Sequence, residues 1–277
     1  MTLSNPVFVW ESDIHINSKQ ALSTDKEIPL GDDDYYRPNI AQKALHTAWV
    51  DAWKEVKSIA GKRPLVVCFG GEIIDMDAKN RSNQFITRDE VAAQDHALEV
   101  IAPVCEIASK IIVLRGTEAH VGQNGAMDEV MGKRIHKEYK NVHKNTTTKE
   151  YSWHHFRGFI GGRKFDLAHH VSMGNMPRTE RNAANHLAAD LMMTYARWKE
   201  ALPDFAIRGH VHRVSDSSMN YPIRAMISGC WQLPTSFIHR IGKGGDKPDI
   251  GLICIDVARK DVRFLQYDYK RESPEHI

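Results

Sequence analysis

The chain has 277 residues, 42% of them hydrophobic and 26% charged, with a net charge of +2 at neutral pH. This composition is ordinary for a globular protein with a core of its own, and it excludes a disordered polyelectrolyte, a fibre and a disulfide-stapled mini-domain. The balanced charge neither demands nor excludes nucleic acid, and no apolar run reaches the roughly 18 residues of a membrane-spanning helix.

The first apolar run, Val7–Trp10, predicts a strand, and Asp13-Ile14-His15 follows directly. Residues 16–40 are polar, with Pro29, Pro38 and the acids Asp32, Asp33 and Asp34, and they predict a long loop over the end of that strand. Ala41, Leu45, Ala48, Trp49, Ala52, Trp53, Val56 and Ile59 recur at helical spacing, which puts both tryptophans on a core stripe. A second strand, Leu65–Phe69, runs into Gly71-Glu72-Ile73-Ile74-Asp75. Val91, Leu98, Ile101, Ala102, Cys105 and Ala108 mark a second helix. The third strand, Ile111–Leu114, runs into Gly116-Thr117-Glu118-Ala119-His120.

Lys133, Arg134, Lys137, Lys140 and Lys144, with His136 and His143, form a basic stretch that reads either as a solvated helix face or as a cradle for a phosphate backbone. Lys164–Ala168 predicts a strand running into His169-His170, and a third helix carries Ala184, Leu187, Ala188, Leu191 and Tyr195. Ala206–Arg208 predicts a strand running into Gly209-His210-Val211-His212. Three more strands, Ile223–Ser228, Gly251–Val257 and Val262–Tyr267, leave little room for helices, and a turn at 258–261 joins the last two.

Strands alternating with helices predict an α/β sheet, in which the runs at 7, 65, 111 and 164 are apolar on both parities as central strands should be. The last three strands predict a second, mostly antiparallel sheet packed on the first. No linker or repeat divides the chain, so one domain over 1–277 is expected. Cys68, Cys105, Cys230 and Cys254 lie in apolar stretches without C-x-x-C spacing and predict buried, reduced thiols. With no basic segment leading into an apolar one at the N-terminus, a cytoplasmic home is expected.

A lone Asp-x-His is usually a capped turn, and a lone His-x-His a surface loop. Here Asp13, Glu72, Thr117 and His169 each stand just beyond a strand end, where side chains distant in sequence can converge. Carboxylates and imidazoles delivered together are what a two-metal hydrolytic centre needs. Mixed oxygen and imidazole donors suit manganese first, with iron, zinc or nickel as alternatives. Of His169 and His170, the residue following the strand directly is the expected ligand, with His170 left as a further ligand, a supporting group or a substrate-facing residue.

The order D-x-H, G-E-x-x-D, G-T-x-x-H, H and G-H-x-H resembles the calcineurin-like metallophosphoesterase family, in a phage-like form, over about residues 7–213. The resemblance implies a four-layer α-β-β-α sandwich, two mixed β-sheets flanked by helices, with the metal site at the C-terminal ends of strands. It implies two divalent ions, the first held by Asp13, His15 and His212, the second by His169 and His210, with Glu72 in the bridging position. His120 would take the catalytic histidine's place, and Asp75 a supporting one. Two departures follow from this pattern: Glu72 replaces aspartate, and Thr117 replaces asparagine with a weaker hydroxyl donor, for which Glu118 or water could substitute. The implied activity is hydrolysis of a phosphate ester by a metal-bridging hydroxide. The basic stretch favours a phosphodiesterase or nuclease, with a phosphomonoesterase and a catalytically weak scaffold as alternatives. Arg115, Arg178 and Arg208, beside the motifs, are candidate contacts to substrate phosphate.

Overall fold

The computed structural model describes residues 3–31, 33–76, 84–171, 181–240 and 247–269. Two five-stranded mixed sheets lie face to face. The first has the order β12-β11-β1-β4-β5, built from Asp261–Tyr267, Ile250–Asp256, Val7–Glu11, Leu65–Phe69 and Lys110–Val113. The second has the order β6-β7-β8-β10-β9, built from His155–Ile160, Arg163–Ala168, Phe205–Arg208, Arg224–Ile227 and Ser215–Asp216. A small hairpin, β2 (Ile28–Gly31) with β3 (Asp34–Tyr36), carries the exposed Asp33 and Asp34 at its tip.

The apolar parity of the strands explains the layers. Val7 and Val9 face the helices, while Phe8 and Trp10 face the second sheet. Val67 and Phe69 likewise face outward, and Val66 and Cys68 inward. Both faces of the first sheet are therefore covered, as its unbroken apolar runs require. Helix α1 (Ile40–Ala60) lays Leu45, Trp49, Trp53 and Val56 on the outer face. It starts where Asn39 accepts the Gln42 N–H at 2.9 Å and the Gln42 side chain accepts the Asn39 N–H at 3.1 Å, a reciprocal cap. Helices α2 (Glu90–Ile107) and α4 (Ala126–Tyr139) complete that layer. Between the sheets, Phe8, Trp10, Ile112 and Leu114 meet Phe165, Leu167, Phe205 and Ile207. Each such side chain, fully buried, contributes about 1.5–3 kcal/mol. On the far side, Ala184 and Ala188 of α5 (Ala183–Trp198) let that helix approach Ala206, Ala225 and Ile227.

The four-layer sandwich is thus present, but its strands are shared out differently from the sequence expectation. The strands at 251 and 262 extend the first sheet, because β11 pairs antiparallel with β1 (Val9 opposite Cys254). The strand at 164 leaves it for the second sheet, where it pairs with β6 through a turn at Gly161-Gly162. That second sheet is mixed, since β7, β8 and β10 run parallel.

Two registers place the site. Glu11, Phe69 and Val113 lie abreast at the ends of β1, β4 and β5, and Leu167 lies beside Ile207 at the ends of β7 and β8. The next residues of all five strands leave the same edge of the sandwich. Two short helices, α3 (Glu118–Val121) and α6 (Ser236–Arg240), lie in the loops. The basic stretch forms the C-terminal half of α4 and the loop after it. Arg134 pairs with Asp95, Lys133 with Glu129, and Lys144 lies 4.4 Å from the Tyr151 ring centre. No described helix is long and apolar enough to cross a membrane, and all four cysteines are free and buried.

Candidate metal centre

The chain bends sharply as it leaves each strand. Asp13, His15, Glu72, His210 and His212 all have positive φ, between 53° and 76°. Such backbone is uncommon outside glycine, and Asp and His are among the residues that tolerate it. The bends take the side chains off the alternation of a strand. His210 and His212, two residues apart, thereby reach neighbouring points instead of the same row. Two glycines make room: a Cβ on Gly116 would collide with Glu72 Cγ, and one on Gly209 with the Asp13 carboxylate.

Asp13, His15, Glu72 and His212 converge in one set. His15 Nε2 lies 3.0 Å from Glu72 Oε2 and 3.3 Å from His212 Nε2, and His212 Nε2 lies 3.3 Å from Asp13 Oδ1. His169, His170 and His210 converge in a second set. Glu72 touches both: Oε2 reaches His15, and Oε1 lies 3.3 Å from His169 Nε2. The longer side chain of glutamate thus spans the two sets, with its Oε1 also accepting the Thr117 N–H at 2.9 Å. His120 stands at the rim with His15 and Asp75; its Nδ1 is 3.0 Å from Asp75 Oδ2, which lies 3.4 Å from His15 Nδ1.

The donor set fits divalent cations. Ligand atoms about 2.1 Å from a shared ion stand about 3.0 Å apart at right angles and about 3.4 Å apart in a tetrahedron. The contacts of 3.0 to 3.3 Å within the first set fall in that window. The electrostatics agree. Burial opposes ionisation of Asp13, yet His169 and His212 hold its carboxyl at about 2. Burial also disfavours charge on His15, yet Glu72 and Asp75 push it up to about 10. His169 is pushed to about 9 against its burial by Glu72 and Asp13. These buried carboxylates demand positive charge here, and cations can supply it in place of protons.

Other expected residues fall elsewhere. Thr117 Oγ1 faces the second set, whereas the exposed Glu118 turns away to accept the Asn124 N–H at 3.1 Å. Arg115 is buried, with Nη2 2.8 Å from Glu150 and Nε donating to Ser152 Oγ at 2.8 Å. Arg208 is buried against Asp166 at 2.7 Å and also donates to two backbone carbonyls. Both guanidiniums are held inside the fold in ion pairs. Arg178 lies outside the described residues. Sequence reasoning missed Asp128, whose only signal was an acidic residue in the first turn of a helix. It is fully buried, and it accepts N–H groups of Glu72, Ile73 and Gly116 at 3.2, 3.2 and 2.8 Å. Burial pushes its carboxyl up to about 6.

Fold and site together define a four-layer sandwich whose strand ends carry a histidine–carboxylate cluster with groups of side chains that could hold a metal ion. No family model and no curated protein matches the chain. Among solved structures it is similar to a hypothetical protein from Pyrococcus horikoshii, at 9% identity over 96% of this chain and 89% of that one, with a TM-score of 0.48. It is also similar to a metallophosphoesterase from Sphaerobacter thermophilus, at 11% identity over 95% and 89%, with a TM-score of 0.39. A zinc complex of Vps29 from Entamoeba histolytica matches at 12% identity over 95% and 98%, also with a TM-score of 0.39. Likeness this distant assigns no activity, so the functional reading rests on the side chains.

Proposed function

We propose that this chain is a metal-dependent phosphoesterase acting on phosphodiesters. The observation that carries the reading is the Glu72 carboxylate, with one oxygen against His15 and the other against His169. Asp13, His15 and His212 would hold one ion, His169 and His210 the other, and Glu72 would span them. Bound divalent ions at such a site lower the pKa of water and neutralise phosphate oxygens. His120 would serve the departing alkoxide: Asp75 holds its Nδ1 at 3.0 Å, which leaves Nε2 to exchange the proton, and its side chain is 39% exposed. Asp75 thereby orients both His120 and His15. Diesters are favoured because Arg115 and Arg208, among the described residues, are turned inward and leave their charge to Glu150 and Asp166. One phosphate charge suits this arrangement better than the two of a monoester. The basic half of α4 supports the nucleic-acid version less, because Lys137 stands about 14 Å along the helix from Asp128 at the site.

The test is hydrolysis of bis-p-nitrophenyl phosphate, p-nitrophenyl phosphate, and single- and double-stranded DNA, with Mn²⁺ and after chelation. The diester should be cleaved faster than the monoester, and only with metal. Faster monoester cleavage would replace the diester reading, and no hydrolysis with any divalent ion would remove the enzyme reading.

A further inference from the structure

Three imidazole nitrogens crowd one hydroxyl. Thr117 Oγ1 lies 3.5 Å from His169 Nε2, 3.3 Å from His170 Nε2 and 3.2 Å from His210 Nδ1. A hydroxyl carries one hydrogen, so it can donate to only one of the three, and any other must be a protonated nitrogen that donates to it. The His169 ring is fixed from behind, its Nδ1 2.8 Å from the Gly70 carbonyl, so Nε2 is the nitrogen that faces the group. The ring centres stand 4.9, 5.3 and 4.9 Å apart at interplanar angles of 89°, 69° and 47°. The rings thus surround a common point and do not stack. Neighbouring residues of a strand point to opposite faces, but β7 ends at Ala168, and beyond it both histidines turn to the same side.

The two sets differ in chemistry. The set of Asp13, His15, Glu72 and His212 offers two carboxylates and two imidazoles, whereas the other offers three imidazoles with one Glu72 oxygen at its edge. Imidazole suits zinc, nickel and related borderline ions, and carboxylate suits manganese and magnesium. We propose that His170 is a third imidazole ligand of the second set, and that this makes the centre chemically unequal: a borderline ion such as Zn²⁺ enters the three-histidine set, while Mn²⁺ keeps to the carboxylate-richer one. The inference rests on the dinuclear reading above and goes beyond it, because the resemblance places only His169 and His210 there.

His170 is exposed, so its removal should leave the core intact. The unaltered protein, His170→Ala and His170→Gln would be equilibrated with one equivalent of Zn²⁺ per chain and an excess of Mn²⁺, because zinc binds more tightly than manganese at either set. Elemental analysis would give the ions per chain, and anomalous scattering at each metal edge would locate them in crystals. The intact protein should hold zinc at His169, His170 and His210, and manganese at Asp13, His15 and His212. Both variants should bind zinc at that set at least about tenfold more weakly and lose the segregation, with thermal unfolding of the chelated proteins unchanged. Variants that keep zinc affinity and segregation would overturn the role of His170 and leave the dinuclear reading standing. An even spread of both metals in the intact protein would overturn the inequality. Absence of bound metal would overturn both readings together.

Discussion

The carboxylate of Asp128 holds the backbone of Glu72. From the first turn of α4, its Oδ2 accepts the N–H groups of Glu72 and Gly116 at 3.2 and 2.8 Å, and its Oδ1 that of Ile73 at 3.2 Å. One buried side chain therefore ties the loop after β4 to the loop after β5 and fixes the residue that lies against both His15 and His169. Replacement by asparagine would turn an amide donor toward a backbone donor. Asp128→Asn should lower stability by about 1–3 kcal/mol and lower metal affinity besides. Unfolding of chelated and metal-loaded protein separates the two effects. An equal loss in both states would mean that Asp128 supports the fold without aiming Glu72.

His120 lies outside the two proposed metal sets, in a third cluster with Asp75 and His15, whose ring centre is 4.7 Å away. His120→Ala should reduce turnover of a phosphodiester about 10²- to 10⁴-fold with two ions per chain retained. Rates measured alongside elemental analysis check this, and loss of an ion would make His120 a ligand.

Arg208 and Asp166 form a buried pair beneath α5, joined by His155 at 2.8 Å and by the Tyr195 hydroxyl at 2.8 Å. Burial alone would raise the Asp166 carboxyl; His155 and Arg208 outweigh it and hold it well below the usual carboxylate range. Arg208→Met leaves that charge to His155 and Tyr195 alone and should cost up to about 3 kcal/mol, read as a lower denaturant midpoint. KM of the folded fraction should stay the same. A raised KM with unchanged stability would return Arg208 to the substrate.

His96 is buried in α2 with Nε2 3.1 Å from Ser23 Oγ. Burial holds its pKa at about 4, against an ordinary 6.5. Because the folded value is the lower one, its contribution is complete above pH 6.5 and is lost as pH falls from 6.5 toward 4. Relative to His96→Leu, the chelated protein should lose up to about 3 kcal/mol over that window. Denaturant midpoints of the two proteins at pH 7 and pH 4.5 give the difference directly, and parallel values would refute it.

The edge of the sandwich where the cluster forms was legible because each apolar strand stops just before a chemically distinctive segment. The sharing of strands between sheets was not, since β11 is paired with β1 across more than two hundred residues and nothing local records that. The strand His155–Ile160 did leave a signal, with Phe156 and Ile160 buried and His155, Arg157 and Phe159 exposed, ahead of Gly161-Gly162. The arginines show a related limit. Nearness to a motif in the chain says nothing about direction, and Arg115 and Arg208 find their acids at Glu150 and Asp166, which only the folded chain brings close.

The left-handed bends at five of the proposed ligand positions carry a lesson for protein engineers. Copying the same aspartate, glutamate and histidines onto the ends of regular strands in another scaffold would reproduce the inventory and lose the aim. The turns themselves have to be transplanted, together with the small neighbours at Gly116 and Gly209 that leave them room.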